Sequence, residues 1–521
     1  MKALGIGEIC QAVGGRWMRR ADGHVAKGVT TDSREVKKDW LFIALRGERF
    51  DGHAFIGQAA AGGAVAAIVH SQAALPAGAE GRFPAGLIGV DDTLEALGRL
   101  GAYYRSICPA RVIAVTGSNG KTTVKRMIHH ILSRRFRGSC SPKSFNNNIG
   151  VPLTLLGVEA DDQYVVCELG TNAPGEIASL AALCKPRIAV ITSVCPTHLE
   201  KLGSVEGVAA EKASLLGRLQ GDGVAIVNGD SQPLADAMRT FSGRVVRFGR
   251  RERNDLKLTG YEVRGMGILP MCGKAIPAAA KGPGKESHEQ DARATHGRDA
   301  HATPSLLACR FQVNGGPWAD LPLAGRHNAV NALAAIGVAM EFGMGVEDAA
   351  AALADMETAE GRLQVVPCGG VTVINDAYNA NPASVVAAAE VLADCPASRR
   401  VMILGDMREL GNGSPGLHEQ TGRDIAAMGI DLLIAVGEMG RYFAIGAQSV
   451  GMKAVRFDSV ESAAAAAPAL LLPGDVVVVK GSHTMAMDRL VAPIREAMAS
   501  PAGRGQTLPA KGGRKMKGVS R

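Results

Sequence analysis

Short apolar, largely β-branched runs bounded by turn residues recur along the chain, and stretches with helical spacing separate them. Residues 112–115 (VIAV) lead into Thr-Gly-Ser-Asn-Gly-Lys-Thr-Thr and an amphipathic segment; DQYVVCELG (162–170) and RIAVITSV (187–194) follow. Farther on, GVTVIND, RRVMILGD, DLLIAVG and DVVVVKG alternate with alanine-rich helical segments. Apolar runs without polar alternation predict strands buried on both faces of a parallel sheet. Their alternation with helices predicts α/β layers.

The 521 residues exceed one ordinary core, and the pattern divides them into three α/β domains. Residues 1–106 form a small N-terminal α/β unit ending in the helical run DDTLEALGRLGAYYRSI. Residues 107–361 form a central P-loop ATPase-like domain with a mainly parallel sheet, and 362–499 a C-terminal Rossmann-like, doubly wound domain. The stretch 264–307 breaks the pattern. It holds HEQDARAT followed directly by HGRDAHAT, has no packable apolar spacing, and reads as a disordered insertion outside any active site.

Composition changes this picture little. The net charge of +8 hints at nucleic acid until it is located. The tail 500–521 carries six Lys/Arg and no acid, which leaves a surplus of only two elsewhere. The tail reads as disordered, and no nucleic-acid partner is expected. Ten cysteines without CxxC pairs read as reduced thiols. No run is long enough to span a membrane and no signal peptide opens the chain, so a cytoplasmic protein is expected.

The glycine turn has the strand–turn–helix layout of a phosphate-binding loop. Gly117, Ser118, Asn119, Gly120, Lys121, Thr122 and Thr123 form it, with Val115 where the usual pattern has its first glycine. Backbone N–H groups of Ser118 to Thr122 are expected to cradle phosphate oxygens. Lys121 would face the β/γ-phosphates, and Thr122 or Thr123 would give a hydroxyl to Mg²⁺. Glu168 ends one strand, and His198 follows another within CPTHLE. Singly, each reads equally as a solvated loop residue. Together on the phosphate-loop edge they become Mg²⁺ ligands or their neighbours. Lys212 shares a helix face with Val205, Val208 and Leu215. It either snorkels or, desolvated, offers a neutral amine able to add CO₂ as a carbamate; spacing leaves both open.

Asn328 and Asn331, three apart on one helix, suit an adenine edge, although capping suits Asn328 equally well. Arg362 stands at a domain junction from which it could reach a γ-phosphate. INDAYNANPAS (374–384) sets Asp376, Tyr378, Asn379 and Asn381 on an Asn-Pro turn after a strand.

With these residues assembled, the chain resembles the Mur ligase family, ATP-dependent amide-bond formers of peptidoglycan synthesis. TDSREVKKDWLFIALRGERFDGHAFI, NNNIGVPLTLL, CELGTNAPGEI, PTHLEKLGS, LPLAGRHNAVNALAA, NDAYNANPAS and GDMRELG carry the resemblance, which covers all but 264–307 and the tail. It implies an ATP-dependent acid–D-amino-acid ligase joining D-alanyl-D-alanine to UDP-N-acetylmuramoyl-tripeptide through an acyl phosphate. The D-N-P-R motif of the ligase that adds the third residue is absent. By this resemblance residues 1–106 receive the UDP-sugar, 107–361 bind ATP, and 362–499 take the dipeptide and part of the nucleotide. Lys121, Glu168, His198, Lys212 and Arg362 would be catalytic. Gly117 to Thr123, Asn328, Asn331 and Asp376 would hold the nucleotide, and Thr122, Glu168, His198 and a carbamylated Lys212 the Mg²⁺. Thr31, Asp32, Ser33 and Arg34 would receive the UDP end, with Asn147, Tyr378, Asn379 and Asn381 as further substrate contacts. Ser144 stands where an Asn often precedes NN-x-IG, and His483 where an Arg is common after KGS. The protein is expected to be a monomer whose domains close about hinges at Gly361–Arg362 and near residue 106. Its rivals are the preceding Mur ligase, a folylpolyglutamate-type ligase and, from another class, a P-loop switch. TDSR and YNANP disfavour the first two, and Lys212 with His198 disfavours the third.

Overall fold

The computed structural model describes residues 1–499 apart from 22, 48–49, 77, 265–306 and 358–360. The repeat segment and the basic tail lie outside the described residues. Arg264 and Leu307, placed in the insertion by the sequence pattern, belong to the framework. Arg264 ends a strand paired with Ala308, and Leu307 is buried. Strands Leu256–Arg264 and Ala308–Val313 form an antiparallel pair at the side of the central sheet.

The apolar runs fold as predicted. Strands Arg111–Thr116, Tyr164–Glu168 and Ile188–Ile191 are buried on both faces except at Arg111. They lie side by side and parallel in a nine-stranded sheet, the phosphate-loop strand in the middle. The registers pair Val115 with Glu168 and Thr116 with Ile191, so three carboxyl ends reach one edge together. Helix Lys121–Leu132 leaves that edge with Val124, Met127, Ile128 and Ile131 buried on the sheet. The helix Arg326–Met340, apolar almost all round, packs against it and brings Asn331 to the phosphate loop.

The third domain holds a six-stranded sheet. Its edge strand Gln364–Cys368 is antiparallel, and the others, including Val371–Asn375, Arg399–Gly405 and Asp475–Lys480, are parallel. Asp376, Asp406 and Lys480 thereby share its carboxyl edge. The first domain is built on a five-stranded sheet, parallel except for Arg16–Arg20.

The expected hinge near residue 106 is not what the packing provides. Helix Thr93–Ile107 buries Leu97, Leu100 and Tyr104 in one apolar cluster continuous with Val112, Leu155 and Leu180 of the central domain. Tyr104 Oη donates to the Val158 carbonyl at 2.7 Å, and Arg105 Nε to that of Cys184 at 2.8 Å. A β-carbon at Gly101 would lie 2.9 Å from Pro152 Cβ. An interface so close-packed resists rotation. At the other junction, Gly361 (φ 66°) and Leu363 (φ 50°) take left-handed backbone on either side of Arg362, a local geometry compatible with the second expected hinge.

Candidate active site

Two clefts of about 410 and 770 Å³ open where the central and third domains face each other. Asn119, Gly120, Arg362, Tyr378 and Asn379 form their common wall. Asn328, Asn331, Asp376 and Thr123 line the smaller cleft, and Lys121, Thr122, Asn147, Glu168 and His198 the larger.

The phosphate loop needs both its glycines. Gly117 (φ 150°) leaves no room for a β-carbon beside Thr192 Oγ1, and at Gly120 (φ 82°) one would meet Asn331 Oδ1 at 2.6 Å. The cradle is shorter than predicted. The N–H groups of Ser118 and Asn119 already donate to Ser193 O and Ser193 Oγ, both at 2.8 Å. This leaves the helix start from Gly120 onward for a phosphate. Lys121 folds back on the loop, donating to the Gly117 carbonyl at 2.8 Å. Burial lowers its pKa; Glu168 opposes that and Arg362 adds to it.

Glu168 is ringed by donors. Thr122 Oγ1 gives to Oε2 at 2.9 Å, Asn146 Nδ2 to Oε1 at 3.0 Å, and Lys125 Nζ stands 3.2 Å from Oε2. Burial acts to raise its pKa, but Lys125, Lys121 and these hydrogen bonds outweigh it and hold the carboxyl below its ordinary value. Arg362 also donates to Thr122 Oγ1, at 3.1 Å, and its guanidinium lies 4.1 Å over the Tyr378 ring. The hydroxyl of Tyr378 meets Ser144 Oγ at 2.5 Å, and its ring stands edge-on to His483 at 5.8 Å. Both departures from the family pattern thus converge on one tyrosine.

His198 Nδ1 is tied to Glu409 of the third domain, and burial lowers its pKa despite that partner. Lys212 is almost fully buried and has no carboxylate within ion-pair distance among the described residues. Burial first, then the Lys121 charge, lower its pKa to about 7. Among the described residues no three His, Cys, Asp or Glu side chains gather to hold a metal. A hydroxyl and a carboxylate beside a phosphate loop nevertheless suit Mg²⁺, which keeps waters and takes phosphate oxygens as ligands.

Asp376 pairs with the buried Lys480 at 2.6 Å. Asn328 donates to the Ala324 carbonyl at 2.7 Å, and Asn331 to Asn328 Oδ1 at 3.4 Å. Asn147 Oδ1 accepts from the N–H of Gly150 at 2.9 Å. Asn381, expected against substrate, lines neither cleft; its amide caps the helix Pro382–Ala393 and pairs with Asn119. The turn Thr31–Arg34 lies apart from both clefts. There Arg34 Nη2 holds Asp32 Oδ2 at 2.6 Å, lowering the carboxyl pKa to about 2, and Ser33 Oγ donates to Gln58 at 2.8 Å.

Residues 25–105 match the Mur ligase family catalytic domain, 115–270 the Mur ligase middle domain, and 361–483 the Mur ligase glutamate ligase domain. The chain is 34% identical over 481 residues to the UDP-N-acetylmuramoyl-tripeptide–D-alanyl-D-alanine ligase of Bacillus subtilis, covering 91% of this chain and 94% of that one. The enzyme of the same name from Escherichia coli is 35% identical over 473 residues, 90% and 93% of the two chains. It belongs to the Mur ligase family.

The crystal structure of MurF from Acinetobacter baumannii superposes with a TM-score of 0.80 at 31% identity, covering 95% of this chain and 99% of that one. Five residues of this Mur ligase's site escaped the sequence reading: Lys125, Asn146, Glu211, Glu409 and Lys480. Lys125 carried a signal, a lysine among the buried positions of an amphipathic helix. Glu211 carried one too, beside Lys212; it accepts from the N–H groups of Gly175 and Ile177 at 2.7 and 2.8 Å and shapes the loop after Glu168. Asn146 and Lys480 sit in polar or strand contexts that pointed to no partner.

Proposed function

We propose that this Mur ligase joins D-alanyl-D-alanine to UDP-N-acetylmuramoyl-tripeptide at the expense of ATP. The observation that carries the reading is the common wall of the two clefts. It allows a nucleotide in one cleft to present its terminal phosphate to a carboxylate in the other. That carboxylate attacks the γ-phosphorus, the bond to the β-phosphate oxygen breaks, and ADP leaves. The neutral amine of the dipeptide then adds to the acyl carbon, loses a proton, and expels phosphate.

Each residue's proposed part follows from its position. Lys121 leaves the Gly117 carbonyl for phosphate oxygens, and Arg362, held by the Tyr378 face, balances charge at the transferred group. Asn328, Asn331 and Asp376 line the nucleotide cleft; Tyr378 and Asn379 face both. Thr122 and Glu168, with His198 nearby, would hold Mg²⁺, which offsets charge between carboxylate and phosphate when bound. Lys212, buried and without a carboxylate partner among the described residues, suits carbamylation, which would bring a further anion toward that cation. The Thr31–Arg34 turn, which lines neither cleft, suits the uridine end of a long substrate. Arg34→Ala is therefore expected to raise KM for the UDP-substrate about tenfold with kcat nearly unchanged, because a remote contact contributes to binding alone. No helix among the described residues is long and apolar enough to cross a membrane; we place the enzyme in the cytoplasm, where ATP is available.

The test is phosphate release from ATP and Mg²⁺ with UDP-N-acetylmuramoyl-tripeptide, with and without D-alanyl-D-alanine, with the product weighed by mass spectrometry. Release requiring both substrates, and a product heavier by the dipeptide less water, is expected. Release that ignores the dipeptide would overturn the assignment.

A further inference from the structure

A reciprocal amide pair joins the phosphate loop to the third domain, beside the bond from Arg362 to Thr122. Asn119 Nδ2 donates to Asn381 Oδ1 at 3.1 Å, and Asn381 Nδ2 returns to Asn119 Oδ1 at 2.8 Å. Its orientation is not arbitrary. The Ser384 N–H, a donor only, points at Asn381 Oδ1 from 2.9 Å, which identifies that atom as the oxygen and so assigns both amides. Asn381 is buried, whereas Asn119 is half-buried and lines both clefts. The Asn119 backbone is held as well, its N–H by Ser193 Oγ at 2.8 Å and its carbonyl by the Ser193 hydroxyl at 3.1 Å. Those backbone bonds come from the central domain, as does a contact of Asn119 Nδ2 with Cys195 Sγ at 3.3 Å, whereas both amide–amide bonds come from the third.

We propose that Asn381 is a positioning residue for the phosphate loop: its amide orients Asn119, and through it the start of helix Lys121–Leu132, only while the third domain is docked. This rests on the reading of the loop as a nucleotide site. The third domain would thereby complete the ATP site as well as bring the second substrate, so that nucleotide is held in its reactive geometry only in the closed enzyme. Asn381 itself lines neither cleft; its side chain reaches the phosphate loop through Asn119.

A double-mutant cycle on the full chain tests this, read as Mg²⁺–ADP affinity by calorimetry. Asn381→Ser keeps a side chain able to cap its helix but cannot reach Asn119, whereas Asn119→Ala leaves the cap untouched. Each is expected to weaken Mg²⁺–ADP about tenfold, and the double variant no further than the weaker single one, as for two residues sharing one interaction. In turnover, KM for D-alanyl-D-alanine should stay within about twofold of the parent, a selectivity that general damage to the domain interface would not spare. Unchanged ADP affinity in Asn381→Ser, or losses that multiply in the double variant, would overturn the proposal. Because affinity for ADP needs no acceptor, a parent enzyme that bound ADP but did not use the dipeptide would condemn the functional reading and leave the cycle to decide this one.

Discussion

Lys212→Ala should lower kcat about 10³-fold, roughly 4 kcal/mol of transition-state stabilisation, while the protein folds normally. The expectation comes from where the side chain is held. A buried lysine with no carboxylate partner among the described residues carries an unbalanced charge, and burial together with the Lys121 ammonium lowers its pKa to about 7. Near neutral pH much of it is the free amine, the form that adds CO₂. The sign follows: at pH 6 about nine-tenths would be ammonium, so activity should depend more steeply on added bicarbonate there than at pH 8. If the lost group is a carboxylate, formate or acetate should restore part of the Lys212→Ala rate. Lys212→Arg, which keeps a cation but cannot form a carbamate, should stay inactive with or without them. Equal activity in degassed and bicarbonate-supplied buffer at pH 6, together with no effect of formate, would remove the carbamate and leave Lys212 a charge or packing residue.

Replacing Lys121 with alanine should cost a similar factor, about 10³ in kcat, for a different reason. Its ammonium sits beside the Gly117 carbonyl, 2.8 Å away, in a loop whose first two N–H groups are already engaged by Ser193. Fewer backbone donors remain than the motif implies, which leaves more of the phosphate charge to this one side chain. The loss should fall on kcat and on ATP affinity together. Phosphate-release kinetics at saturating and limiting ATP separate the two effects. A variant retaining a tenth of the parent rate would transfer the role to Arg362, whose guanidinium already reaches Thr122 at 3.1 Å.

The strands and the phosphate loop were legible because their signal is local. An apolar β-branched run followed by Gly-Lys-Thr-Thr constrains backbone and chemistry within a dozen residues, and both sheets formed where those runs lie. Motif resemblance carried the roles of Arg362, Asp376 and Tyr378, and the structure brings these three into the walls of the clefts. Lys125 was readable in principle, since a buried lysine in an apolar face demands an anion, but nothing near it in sequence named Glu168. Asn381 went the other way. Read as a substrate contact on an Asn-Pro turn, it instead caps the helix that follows and pairs with Asn119.

The sequence by itself determined the α/β layering, the three-part division and the phosphate loop, because strand burial, helix spacing and turn chemistry act between residues close along the chain. Only the tertiary structure decided which charges face one another. It set Lys125 against Glu168, Glu409 against His198 and Lys480 against Asp376. It also joined the first two domains through a common apolar core where a hinge was expected. The reason is physical: each of these partners lies 43 to more than 200 residues away along the chain, and Coulomb attraction and desolvation depend on distance in space, not on position in sequence.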